Sequence, residues 1–123
     1  MDTHVVVGSG PVGTRTALLL ADAGSRVRVV TRSGGGPEHP LVERVTADAS
    51  DASAMQRFAT GATVIYNCAN PAYTRWTTDW PPIGAALLAA ATSAGAVLAT
   101  VSNLYGYGRV EGPMGPDTPL NPC

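Results

Sequence analysis

Lysine is absent from this 123-residue sequence, and its eight basic residues are all arginine. They are scattered from Arg15 to Arg109 without a cluster, so the sequence carries no electrostatic footprint for nucleic acid. Charged residues make up only 14% against 45% hydrophobic, and the formal net charge is −1, which excludes a disordered or charge-rich tail and predicts a folded domain. Cysteine is scarce as well. Cys68 and Cys123 have no metal-ligand spacing and no partner pattern, so neither a metal site nor a disulfide scaffold is expected, and a reducing, cytoplasmic compartment is. No apolar run approaches the roughly 18 residues of a membrane span, and the opening MDTHVVV runs straight into a glycine turn, so neither membrane insertion nor export is expected. No segment repeats at a fixed period. A chain of this length has room for one sheet covered by helices and little more.

What is present alternates between two periodicities. Residues 4–7 form a short apolar, β-branched run closed by Gly8 and Gly10, which predicts a strand buried on both faces. Residues 11–23 place apolar side chains at helical spacing, with Pro11 in the first turn and Gly24 after the last. A second strand over 27–30 completes a βαβ unit. Residues 33–40 (SGGGPEHP) are too rich in glycine and proline for a helix, so the next crossover is expected to be short or irregular. A third strand is expected over 41–46. A helix from a cap at Ser50 or Asp51 to about Thr60 follows, then a fourth strand over 63–68. Residues 70–82, with Trp76, Trp80 and three prolines, read as a loop with a short helix around 74–78. Residues 83–94 read as helix and 97–101 as a fifth strand. The division expected is a nucleotide-binding domain over 1–101 and a Gly/Pro-rich tail over 102–123. Strands alternating with helices predict an α/β fold: a parallel Rossmann-like sheet in the order 3-2-1-4-5, helices on both faces, with a ligand crevice where the order reverses between strands one and four.

Gly8-Ser9-Gly10-Pro11-Val12-Gly13 is a G-x-G-x-x-G turn that follows a strand, opens a helix and lies inside a βαβ unit. Gly8 permits the tight bend, Gly10 lets the backbone approach a pyrophosphate, and Gly13 lets helix and strand pack closely, while the helix start attracts the phosphates. The competing reading is a glycine turn that binds nothing. At the end of strand two, where a carboxylate would favour NAD, stands Thr31-Arg32-Ser33. Arg32 suits a 2′-phosphate and adenine stacking, so NADP is expected ahead of NAD, a solvated turn arginine being the alternative. Arg15 reads as a surface residue. Asp48, followed by Ala49, either reaches the adenine edge or, like Asp51, caps the next helix. Asn67, Cys68, Ala69 and Asn70 end strand four beside the reversal, on the ribose and nicotinamide side. Cys68 reads as core and is assigned no reactivity.

Three segments, VVVGSGPVGTRTALLLADAGSRVRVVTRS, VIYNCANPAYTRW and TVSNLYGYGRVEGPMGPDTPLNP, together resemble the NAD-dependent epimerase/dehydratase family, the extended and atypical short-chain dehydrogenase/reductases, across essentially the whole chain. The resemblance implies a nicotinamide nucleotide and a hydroxy or keto substrate such as a nucleotide sugar or steroid. The family's common G-x-x-G-x-x-G would need glycine where Val7 stands, which is the atypical branch's pattern. Its Tyr-x-x-x-Lys pair, in which lysine lowers the tyrosine pKa, has no lysine here. Tyr105 and Arg109 have the spacing but fall in a glycine-rich loop, so no catalytic residue is assigned. Ser102 stands near the family's helper Ser/Thr and reads as a loop-capping serine. The chain is therefore expected to stop before the catalytic helix, to be inactive alone and to leave the fifth strand as an open edge available for self-association. A non-catalytic NADP-reading regulatory module is the alternative. A flavin-binding domain is a third reading, disfavoured because Arg32 stands where such domains carry glutamate.

Overall fold

The computed structural model describes residues 1–122. Its centre is β1 (Thr3–Val7), whose consecutive Val5, Val6 and Val7 leave no polar face. It is flanked by β2 (Arg26–Thr31) and β4 (Val64–Asn67), and these in turn by β3 (Val42–Thr46) and β5 (Val97–Thr100). Every pairing is parallel and the order is β3-β2-β1-β4-β5, as the alternation of strand and helix predicts.

The two faces of the sheet are covered by different helices. On one lies α1 (Pro11–Asp22), whose Gly13, Ala17 and Ala21 recur every four residues and bring the helix close to Val6, Val27 and Val29. On the other lie α2 (Ala52–Phe58) and α3 (Trp76–Ala94), which pack on each other and on Val5, Val7, Val30 and Ile65 through Met55, Ala86, Leu87, Ala90 and Ala91. Asp51 caps α2 by accepting from the Ala54 amide, a bond typically worth about 1 kcal/mol. At the other end, the Arg28 guanidinium on β2 donates to the carbonyls of Phe58 and Thr60, both at 2.8 Å, and so satisfies acceptors the helix leaves open.

The glycine-rich connection from β2 to β3 contains no helix. Its end is held by His39, whose Nδ1 accepts from the Leu41 amide at 3.0 Å while Nε2 sits 3.0 Å from the Asp22 carboxylate at the end of α1. A neutral ring satisfies both contacts, Nδ1 as acceptor and Nε2–H as donor. His4 differs: it is buried beside the Tyr66 ring, and its Nδ1 has no partner among the described residues.

Residues 70–82 correct the sequence reading. Instead of a loop with a short helix ahead of a separate one at 83, α3 runs unbroken from Trp76 through Pro81 and Pro82. They are the sixth and seventh residues of the helix, past its first turn, so each removes the amide that would bond the carbonyl four residues back and sets its ring against that carbonyl, a cost the packing of α3 on the sheet and on α2 offsets. The entry is pinned by the Trp76 indole N–H donating to Pro71 O at 3.0 Å and by a two-bonded Arg75–Asp79 pair. Gly95, at φ +66°, ends α3 with its amide turned back on Ala91 and Thr92. Beyond β5 the chain forms a single 3₁₀ turn, Tyr105–Tyr107, and then folds on itself, with the Asn121 amide donating to Gly106 O and Tyr107 Oη to Gly115 O.

Candidate dinucleotide-binding site

The turn between β1 and α1 is built by contacts that only glycine allows. Gly8 adopts φ +101°, and a Cβ there would lie 2.8 Å from Cys68 O. Its amide donates to Val30 O, and the Cys68 amide donates to Val7 O, so the turn is wedged between the ends of β2 and β4. A Cβ on Gly13 would fall on Gly8 O, which places α1 as close to the strand as backbone atoms permit. Thr14 locks the bend by donating its hydroxyl to Ser9 O at 2.8 Å.

Gly10 is different. Its φ of −70° suits any residue, and a Cβ built on it meets nothing within 4 Å. It is the N-cap of α1, yet no side chain caps the helix, Pro11 has no amide to satisfy, and no acidic residue lies in the first turn. The positive end of α1 is thus left without a protein anion beside a space that the protein does not fill.

A cleft of about 690 Å³ opens at the carboxyl ends of the strands. Of the residues expected at the site, Gly8, Ser9, Arg32, Asp48, Ala49, Ala69 and Asn70 line it. Gly10, Pro11 and Val12, again with Ala69 and Asn70, line a second cleft of about 750 Å³ on the other side of the turn. Gly13 lies in neither; its place is the helix–strand contact. Asp48 accepts from both the amide and the hydroxyl of Ser50, while Asp51 is the cap, so the alternative of Asp48 capping α2 falls away. The Ser50 amide, then its hydroxyl, hold the Asp48 carboxyl below its ordinary pKa; burial opposes them, and the Arg32 charge, the weakest of the four effects, adds to them. It is ionised at neutral pH. Burial pushes the Cys68 thiol up, only partly offset by the Thr16 hydroxyl.

Sequence reasoning missed Arg75 and Asp79, which stand on the wall of the first cleft. Their i, i+4 spacing was the available signal, hidden because the short helix read over 74–78 ends before Asp79. Among the described residues Arg32 and Arg75 are the two arginines of that wall; Asp79 is bonded to Arg75, which leaves Arg32 as the less committed one. An uncapped helix start, an open approach at Gly10 and an arginine at the end of β2 together fit the phosphates and ribose of a dinucleotide.

A parallel sheet with such a turn at its order reversal defines a dinucleotide-binding α/β domain. The chain belongs to the NAD(P)-binding family described as "Putative NAD(P)-binding", whose family model matches residues 1–106. No curated protein matches it in sequence. Among solved structures it is similar to uronate dehydrogenase from Agrobacterium tumefaciens, with a TM-score of 0.82 and 23% identity over 99% of this chain and 49% of that one. The Bordetella bronchiseptica enzyme WbmH, in complex with NAD+, gives a TM-score of 0.83 and 19% identity over 99% and 46%. The dTDP-glucose 4,6-dehydratase of Bacillus anthracis, in complex with NAD, gives 0.82 and 17% over 100% and 45%. The chain therefore spans about half the length of these structures, and what it shares with them is the fold of their cofactor-binding part. Among the described residues no helix is long and apolar enough to cross a membrane, and no cluster of His, Cys, Asp or Glu could hold a metal ion.

Proposed function

We propose that residues 1–101 are an NADP-binding unit that prefers NADP to NAD and corresponds to the front part of an oxidoreductase or epimerase, with 102–123 as its tail. The observation that carries the preference is Arg32: it lines the first cleft at the end of β2, next to Thr31 and Ser33, where a carboxylate selective for an unmodified ribose would stand. The pyrophosphate lies against Gly8, Ser9 and Gly10 and the start of α1. The adenosine extends past Arg32, Asp48 and Ala49, and Ala69 and Asn70 flank the nicotinamide end. Bound nicotinamide supplies hydride transfer. The chain's own residues bind and orient it. Titration calorimetry should show NADP binding more tightly than NAD, and Arg32→Ala should weaken NADP about tenfold, or about 1.4 kcal/mol, while changing NAD little. Equal affinities in the wild type would remove the preference.

No residue is assigned to catalysis. Tyr105 sits in a 3₁₀ turn that Gly108, at φ +63°, separates from Arg109, so the two do not share a helical face as i and i+4. The domain on its own is accordingly inactive in this reading. Self-association belongs to the same reading: β5 pairs only with β4 among the described residues, and Val97 and Val101 on and beside it are 64% and 50% exposed. Sedimentation velocity should show mass rising with concentration, and Val97→Lys should abolish the rise; a wild-type monomer throughout would end the idea.

A further inference from the structure

A second cation besides Arg32 stands on the wall of the first cleft. Arg75 is the N-cap residue of α3, a position where the positive end of the helix disfavours a cation. Its fork is closed on Asp79, with Nε donating to Oδ2 at 3.1 Å and Nη2 to Oδ1 at 3.0 Å, and no other side-chain bond holds it among the described residues. The two side chains are 61% and 31% exposed, and an ion pair so open to water contributes little to stability. Asp79 does not depend on the pair: it lies in the first turn of α3, where the helix end itself favours a carboxylate. The charged lining of the cleft is Arg32, Asp48, Arg75 and Asp79, equal numbers of each sign. A ligand that brings several phosphate charges therefore gains a free cation at α3 only when Arg75 leaves Asp79.

We propose that Asp79 is a built-in competitor of the dinucleotide: it holds Arg75 in the free protein and yields it to a phosphate group of the ligand, so that the pair sets how tightly the cleft binds. A phosphate offers the guanidinium the same two-point acceptor as a carboxylate, with more charge. Leaving a pair that water already weakens costs little, and Asp79 keeps the start of α3 as its partner. Only the Arg75 side chain has to move. The turn that carries it is fixed by the Trp76 indole on Pro71 O and by the Tyr73 ring packed on Trp76 at 4.8 Å between centroids. The inference rests on the dinucleotide reading of this cleft and not on its preference for NADP. The phosphate is either one of the pyrophosphate or the one on the ribose, and comparison with NAD separates the two.

Calorimetric titration of NADP and of NAD into the wild type, Asp79→Asn, Arg75→Gln and the double variant tests it. Asp79→Asn should tighten binding about fivefold and Arg75→Gln should weaken it about tenfold; in the Arg75→Gln background, Asp79→Asn should change it less than about twofold. Loss of a negative charge alone would tighten binding equally in both backgrounds, so the non-additivity reports the exchange. Both positions are open to water, so thermal midpoints close to the wild type are expected in all four proteins. A gain with both nucleotides assigns the pyrophosphate, and a gain with NADP alone assigns the 2′-phosphate. Equal wild-type affinities for NADP and NAD, with Asp79→Asn tightening both, would end the preference given to Arg32 and support this exchange. Unchanged or weaker binding in Asp79→Asn, the same gain without Arg75, or wild-type affinity in Arg75→Gln would overturn the proposal alone. A wild type that binds neither nucleotide would overturn it together with the reading on which it rests.

Discussion

Gly10→Ala is expected to leave the fold within about 1 kcal/mol of the wild type and to weaken dinucleotide binding about a hundredfold, or roughly 2.8 kcal/mol. Two small backbone effects oppose each other in the free protein. Alanine is a poorer N-cap than glycine, but at φ −70° it also restricts the unfolded chain, which favours folding. Neither involves a collision, since the added methyl projects into open space. That same space is where the backbone must come close to the pyrophosphate, so the methyl is felt only when ligand arrives. Thermal unfolding and calorimetry on the same sample separate the two effects. A variant that binds NADP as the wild type does would show that the turn is a structural bend and nothing more.

Gly13→Ala, three residues away, should do the opposite. The methyl would be driven onto Gly8 O and close to Cys68 Cβ, and neither the strand end nor the helix can yield without disturbing the contact of α1 with the sheet. Overpacking of this kind commonly costs 1–3 kcal/mol and here should reach about 3 kcal/mol or more, because the obstacle is backbone rather than a mobile side chain. For a domain with ordinary marginal stability that is a large part of the total. Denaturant melts should show a clearly lower midpoint, and any loss of NADP affinity should track the folded fraction. A wild-type midpoint would mean that the helix can slide away from the strand, contrary to the packing of Ala17 and Ala21 below it.

The contrast between these two glycines shows how much the sequence could convey. Strand order, the bend and the starts of α1 and α2 were legible because valine runs, glycine spacing and caps are local signals. Even the helix-free passage from β2 to β3 could be read from SGGGPEHP. The beginning of α3 could not, because Pro81 and Pro82 read locally as breakers, whereas the structure tolerates them inside a helix anchored by Trp76 and packed on α2. Arg75 and Asp79 were lost from the site with it. Arg28, which closes the end of α2 from across the sheet, and the orphaned nitrogen of His4 depend on partners distant in sequence, and no spacing rule exposes them. Nor does the motif say which glycine is for the ligand and which for the fold; that distinction came only from asking what an added methyl would touch.

The helix-free passage has a further consequence. Because α2 and α3 cover one face of the sheet while α1 alone serves the other, the edge strand β3 is held by its five-residue ladder to β2, by Leu41 and Val42 on the α1 side, and by the His39 latch to Asp22 just ahead of it. Fluctuation of the domain should accordingly begin at that margin, with β3 peeling from β2 ahead of the interior strands. Asp48 and Ala49 ride on its end, so a nucleotide clasped there would act as a rivet on that seam.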